Sequence, residues 1–293
     1  MAIFEGSGVA IATPFTDNGA VDWDSLESLI NWQIEESTDA IVIVGTSGEA
    51  STLYDEEHLE VIKFAVKTVN SRVPVIAGVG SNHTEHGVML SQGAEKAGVD
   101  GLLHVTPYYN KASRQGLINH MLEMANNVET PILLYSVAGR TGLNIAPDVV
   151  AELSKHKNIV GIKEASGNIS QVAEIARVTP DDFAIYSGND DMIVPLLSLG
   201  GNGVISVLAN VAPKATHDMV MSFLNGDTKK ACDLQLKYKP LIDALFIEVN
   251  PIPVKAALYM MGKCGYNYRM PLCRMADDNY KALETEMKNA GLI

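Results

Sequence analysis

Apolar and polar residues along this chain alternate between two spacings. Short, nearly continuous apolar runs recur at residues 8–12, 39–45, 73–78, 101–105, 131–135, 160–165, 183–186 and 203–207. Runs of this length and continuity read as strands buried on both faces, the pattern of a parallel sheet. Each is followed by a loop and then by apolar residues at helical spacing, as with Leu26, Leu29, Ile30 and Ile34 in a helix opening near Asp24,. Further helices are expected from Asp55, Thr84 and Arg114, from Pro147 at the first-turn position that tolerates proline, and behind Asn168-Ile169-Ser170,. Eight βα units predict an α/β fold of the (β/α)8 TIM barrel type over residues 1–225,. After Gly226 the pattern turns purely helical, and stretches 229–246, 253–261 and 277–288 predict a three-helix C-terminal extension over residues 226–293,.

Composition narrows the function classes. Hydrophobic residues make up 47% and charged residues 19% of the chain, an ordinary globular balance,. The net charge of −13, with no cluster of Lys or Arg, argues against nucleic acid and anionic membrane surfaces as partners,. An anionic ligand must therefore find its positive contacts locally. The first residues lack a basic segment followed by an apolar core, and no apolar run reaches membrane-spanning length, so a cytoplasmic protein is expected,. Cys232, Cys264 and Cys273 are odd in number and lack C-x-x-C spacing, which predicts reduced, mostly buried thiols, with neither a disulfide framework nor a zinc site,. Neither a G-x-x-x-x-G-K-[ST] nor a G-x-G-x-x-G segment joins a strand to a helix, so no nucleotide cofactor is expected, and no metal,. Asn189-Asp190-Asp191, just ahead of the apolar Met192-Ile193-Val194, reads as a helix start rather than as metal ligands,.

Lys163 ends the sixth apolar run, where an ammonium group needs a reason. Burial favours the neutral amine, the form that attacks carbonyl carbon. The alternative is a lysine whose stem lies on apolar surface while its head reaches water or Glu164. Barrel enzymes carry their chemistry on the face formed by the loops that follow the strands, and several polar groups fall there. Gly45-Thr46-Ser47-Gly48-Glu49 follows the second strand as a small-residue turn able to hold a carboxylate, or else as an ordinary capped turn,. Thr106-Pro107-Tyr108-Tyr109-Asn110 follows the fourth. Tyr135 ends the fifth and, by alternation, points into the barrel if Leu133 does, which puts a phenol at the mouth,. Arg140, on the next loop, suits a carboxylate ligand,. Lysine, tyrosine, hydroxyl-rich turn and arginine on one face describe Schiff-base chemistry on an anionic keto acid.

These segments, with Gly161-Ile162-Lys163-Glu164-Ala165, Ser187-Gly188-Asn189-Asp190-Asp191 and Asn250-Pro251-Ile252-Pro253-Val254-Lys255, resemble the dihydrodipicolinate synthase branch of the N-acetylneuraminate lyase family of pyruvate-dependent aldolases, from Gly8 to about Pro271. The resemblance implies that Lys163 forms the imine with pyruvate and that Tyr135 donates and accepts the proton. It implies that Thr46 and Tyr109 complete a proton relay, Tyr109 coming from an adjacent subunit, and that Thr46 and Ser47 hold pyruvate's carboxylate. Gly188 and Ile205 match main-chain positions around the imine, and Arg140 matches the arginine that receives the carboxylate of aspartate semialdehyde. The implied assembly is a homo-oligomer, a tetramer built from tight dimers, working in diaminopimelate and lysine biosynthesis.

Three departures from the family pattern bear on function. Ser47 stands for a threonine. Ser136-Val137-Ala138-Gly139 stands for Asn-Val-Pro and a small residue, and loss of the proline predicts a less rigid Arg140 loop,. Asn82, His58 and Tyr108 match positions used for feedback by lysine, but His86 replaces an acidic residue and Asp55 stands where some members have histidine, so weak or absent inhibition by lysine is expected. Two other readings remain: a related pyruvate aldolase acting on a sugar-derived keto acid, of N-acetylneuraminate or 2-keto-3-deoxygluconate type, and a non-catalytic keto-acid-binding barrel.

Overall fold

A computed structural model describes residues 2–293. Its eight strands are β1 (Gly6–Ala10), β2 (Ala40–Ile43), β3 (Val75–Gly78), β4 (Gly101–Val105), β5 (Ile132–Ser136), β6 (Ile159–Glu164), β7 (Ala184–Ser187) and β8 (Gly203–Ser206). They pair in parallel, each with its chain neighbour, and β8 returns to β1 to close the barrel. Closure leaves no sheet edge unpaired. The predicted TIM barrel is what forms, with strand limits displaced from the apolar runs by up to two residues at most ends. Residues 11–12, read as strand, instead begin the loop after β1.

Among the described residues, twelve α-helices surround and extend the sheet. Alternating with the strands run α1 (Trp23–Glu35), α2 (Asp55–Val69), α3 (Thr84–Ala97), α4 (Arg114–Asn126), α5 (Ala138–Thr141), α6 (Pro147–Leu153), α7 (Ile169–Val178), α8 (Ile193–Leu197) and α9 (Pro213–Leu224). After them come α10 (Thr228–Ala244), α11 (Ile252–Met260) and α12 (Asp277–Asn289). Several starts follow from a local cap: Asp22 accepts the N–H of Ser25, Ser113 that of Gly116, and Asn168 those of Ser170 and Gln171,. Pro147 occupies the first turn of α6, where its missing N–H is not needed,.

Alternation along the strands divides the buried residues into two sets. One fills the space between sheet and helices; the other, including Ala40, Val42, Ile76, Leu103, Leu133 and Ile205, fills the barrel interior. Toward the amino ends of the strands, Tyr186 stacks on Phe4 at 4.5 Å and donates its hydroxyl to the Phe4 carbonyl at 2.6 Å. That plug leaves the opposite end of the interior for polar side chains. No helix among the described residues is long and apolar enough to cross a membrane.

Candidate active site

Residues paired across parallel strands point the same way, and the register sets Lys163 beside Tyr135 on one side and Tyr186 on the other,. All three face the interior, as the alternation from Leu133 predicted for Tyr135. Lys163 is 5% exposed and Tyr135 7%, and the lysine amine stands 4.4 Å from the centre of the tyrosine ring. Glu164, one residue on, turns outward and accepts N–H groups from Ser166 and Gln171; burial raises its pKa, and its partners do not include Lys163. The reading of Lys163 as a snorkelling lysine paired with Glu164 therefore does not hold.

A cavity of about 500 Å³ opens over the carboxyl ends of the strands. Thr46, Ser47, Tyr135, Arg140 and Lys163 all line it, so five of the residues singled out in sequence share one space. Gly188 and Ile205 are not among its lining residues, although Gly188 packs against the Lys163 stem and Ile205 lies in the barrel interior. Tyr109 is apart: it is 93% exposed, sits at φ 68° and is not among the residues lining this cavity.

The Thr46–Ser47 turn is held under tension. Val44 and Glu49, at its two ends, have φ of 49° and 54°, a left-handed conformation costly for branched or bulky residues,. The N–H groups of Gly48 and Glu49 are consumed inside the turn by the carbonyls of Gly45 and Thr46. Thr13 donates its hydroxyl to the Gly48 carbonyl at 2.8 Å, and a Cβ at Gly48 would lie 2.9 Å from the Val44 Cα. Glu49 then reaches away from the mouth to Lys255, forming an ion pair at 2.5 Å in which both side chains are essentially unexposed. Burial pulls the Lys255 pKa down against the opposing pull of Glu49,.

Arg140 lies on α5, a single helical turn where sequence reading expected an irregular loop. The restraint that the missing proline would have given comes from other groups. The Ser136 hydroxyl donates to Asn144 and accepts the N–H of Ile145, and the buried Thr141 bonds to Thr106 at 3.0 Å. The Arg140 guanidinium donates to the main-chain carbonyl of Asn250 at 2.9 Å, while the Asn250 amide contacts Ser47. Asn250 was legible only as part of a resembling segment; nothing local in the sequence marks it as touching two sides of the mouth.

A helix does start at Asn189-Asp190-Asp191, as a 3-10 turn over Asp190–Met192 that leads into α8, but it starts without a side-chain cap. Asn189 caps nothing with its side chain; Asp190 is 2% exposed and gathers the Ser206 hydroxyl and the N–H groups of Val207 and Leu208. Burial raises its pKa, and those donors oppose the shift. It thereby ties the loop after β7 to the end of β8. No group of three or more metal-binding side chains occurs among the described residues. The three cysteines are free, but only Cys264 is buried, whereas Cys232 and Cys273 are exposed, contrary to the expected mostly buried thiols.

At the far end of the cavity the His86 ring bonds Asp55 at 2.9 Å and Ser81 at 3.0 Å, so both of its nitrogens are engaged. His58, whose pKa burial lowers, contacts the Gly78 carbonyl.

The sequence profile of the Dihydrodipicolinate synthetase family matches residues 3–290. A curated relative, 4-hydroxy-tetrahydrodipicolinate synthase of Caldicellulosiruptor saccharolyticus, is 57% identical over 292 residues, covering 100% of this chain and 99% of its own. A crystal structure of a dihydrodipicolinate synthase superposes with a TM-score of 0.96 at 47% identity, covering 99% of this chain and 100% of that one. The pyruvate complex of the chloride-inhibited dihydrodipicolinate synthase from Acinetobacter baumannii superposes at 0.97 and 44% identity, covering 99% of both chains. The chain belongs to the dihydrodipicolinate synthetase family.

Proposed function

We propose that this protein condenses pyruvate with L-aspartate 4-semialdehyde to give 4-hydroxy-2,3,4,5-tetrahydrodipicolinate, through a Schiff base on Lys163. The observation that carries the proposal is the Lys163 amine beside the Tyr135 ring, at the floor of a cavity that Arg140 also lines. The curated relatives' shared name supports the choice of substrates over a sugar-derived keto acid.

The amine of Lys163 adds to the ketone carbon of pyruvate, and loss of water gives the imine. Tyr135, adjacent to that amine, passes the protons that the hydroxyl must gain to leave,. Thr46 and Ser47 hold the pyruvate carboxylate. A methyl proton is then lost, and the resulting enamine carbon attacks the aldehyde. Arg140 receives the carboxylate of the aldehyde substrate, a role suited to a planar fork of N–H donors. The substrate's own amine next attacks the imine carbon, closes the ring and releases Lys163. Gly188 and Ile205 supply backbone around the imine.

Tyr109 enters from a second copy of the chain, completing the relay through Thr46 to Tyr135; its exposure, its left-handed backbone and its absence from the lining of its own cavity support this. The proposal therefore includes a homo-oligomer, a tetramer of tight dimers, acting in the cytoplasm. It also makes lysine a weak inhibitor, because His86 and Asp55 already satisfy each other where an effector amine would need a free carboxylate.

Steady-state kinetics with both substrates tests the assignment. Wild type condenses pyruvate with aspartate semialdehyde, and Arg140→Ala raises KM for the aldehyde by about tenfold or more while that for pyruvate changes less. Turnover of N-acetylneuraminate or 2-keto-3-deoxygluconate in preference, with Arg140→Ala impairing only that reaction, contradicts it.

A further inference from the structure

Ser47 is 1% exposed, and its hydroxyl lies on the turn assigned to the pyruvate carboxylate. A hydroxyl has one hydrogen to give and lone pairs to receive with, so what it offers a ligand depends on its other neighbour. That neighbour is Asn250, itself buried, 203 positions away in the chain. The Asn250 amide nitrogen donates to Ser47 Oγ at 3.0 Å, and the Ser47 hydroxyl in turn has the amide oxygen as a longer acceptor at 3.4 Å. The shorter bond occupies a lone pair of Ser47 Oγ, and the hydroxyl hydrogen is held only by the longer contact, so a carboxylate in the mouth is the better acceptor and draws that hydrogen toward itself,. An acceptor in place of that amide would draw the hydrogen inward and present a lone pair to the carboxylate instead.

Asn250 is well placed to enforce this polarity. Its own carbonyl accepts from Arg140, and it stands just ahead of α11, which is fastened to the same turn by Lys255 and Glu49. The Tyr268 hydroxyl donates to the Ile252 carbonyl at 2.7 Å, and Arg269 donates its N–H to Glu49 at 3.3 Å, fixing the head of α11 from the other side.

We propose that Asn250 is a positioning residue for the reaction: its side-chain amide makes Ser47 a hydrogen-bond donor toward the pyruvate carboxylate, so the appended helix α11 sets the polarity of a group in the barrel mouth. The inference rests on the functional reading above.

Kinetics of Asn250→Asp, Asn250→Ala, Ser47→Ala and the Ser47→Ala/Asn250→Ala double variant test it, with melting temperature measured for each. Aspartate keeps the shape of asparagine but has no N–H to give. Folded Asn250→Asp raises KM for pyruvate by about tenfold or more with a smaller change in kcat. Asn250→Ala costs less, and adding it to Ser47→Ala changes pyruvate KM no further, because its effect passes through the hydroxyl. An unchanged pyruvate KM in Asn250→Asp overturns the inference, as does an Asn250→Ala loss equally large with and without Ser47. If Asn250→Asp does not fold, the Asn250→Ala cycle alone decides. A wild-type chain in which pyruvate and borohydride fail to modify Lys163 overturns the functional reading itself; a modified wild type with unmoved variants overturns only this inference.

Discussion

Residue 188 has only a hydrogen where other residues carry a Cβ, and the Lys163 stem uses that room. A Cβ there would sit 2.6 Å from the Ala165 Cβ and 3.1 Å from Lys163 Cε. The alanine neighbour cannot swing aside, so the lysine or the loop must. Gly188→Ala is expected to slow imine formation with pyruvate by about tenfold or more, at a stability cost of about 1–3 kcal/mol. Borohydride-quenched time courses measure the first and denaturant titration the second; a time course matching wild type refutes the packing argument. Lys163 and Tyr135 could be read from sequence because each ends an apolar run and alternation fixes which way it points. Asp190 and Glu49 could not. Each has an adequate local explanation, a cap or a turn, and its real partners lie 16 to 206 positions away.

The elements differ in how much of their work is local. Strands and long helices were legible because burial imposes a period on their residues, and α2, α3 and α4 begin at the expected Asp55, Thr84 and Arg114. The single turn of α5 is too short to show a period, so the segment carrying Arg140 read as loop. The function of α11 was invisible for another reason: its apolar pattern says that it packs, not that its lysine crosses to the turn after β2. Removing one side of that buried pair strands the other charge. Lys255→Met should lower stability by about 3–5 kcal/mol, and Glu49→Gln added to it should restore much of the loss. Thermal or denaturant melting of the single and double variants checks this; a double variant no better than Lys255→Met alone contradicts the ion-pair account.

Across the whole molecule, protonation of buried histidines links stability to pH. His104 is fully buried behind β4, where its ring contacts Ser91, and burial pushes its pKa down from 6.5 to about 3. Burial also lowers His58 and His120. The unfolded chain then binds more protons than the folded one between pH 6.5 and about 3, so this contribution is complete above pH 6.5 and is lost as pH falls through that window,. Lowered carboxylates such as Glu57, held down by its bond to Arg269, add a loss at lower pH. Melting temperature should decline below pH 6.5, and His104→Gln should flatten part of that slope; a wild-type curve flat from pH 8 to 5 rules the linkage out. At this scale the barrel was legible, since eight apolar runs admit a closed parallel sheet readily. The proposed assembly rests on the resemblance alone at the level of sequence, because Tyr109 carries no signal in its own chain beyond being a tyrosine on a loop.

The most direct test of the central claim is chemical trapping at Lys163. Incubating the protein with pyruvate, reducing with borohydride and mapping the peptides by mass should place one reduced pyruvate adduct on Lys163, and Lys163→Ala should abolish it. An unmodified Lys163 under conditions where the enzyme turns over, or an adduct on another lysine that persists in Lys163→Ala, contradicts the mechanism.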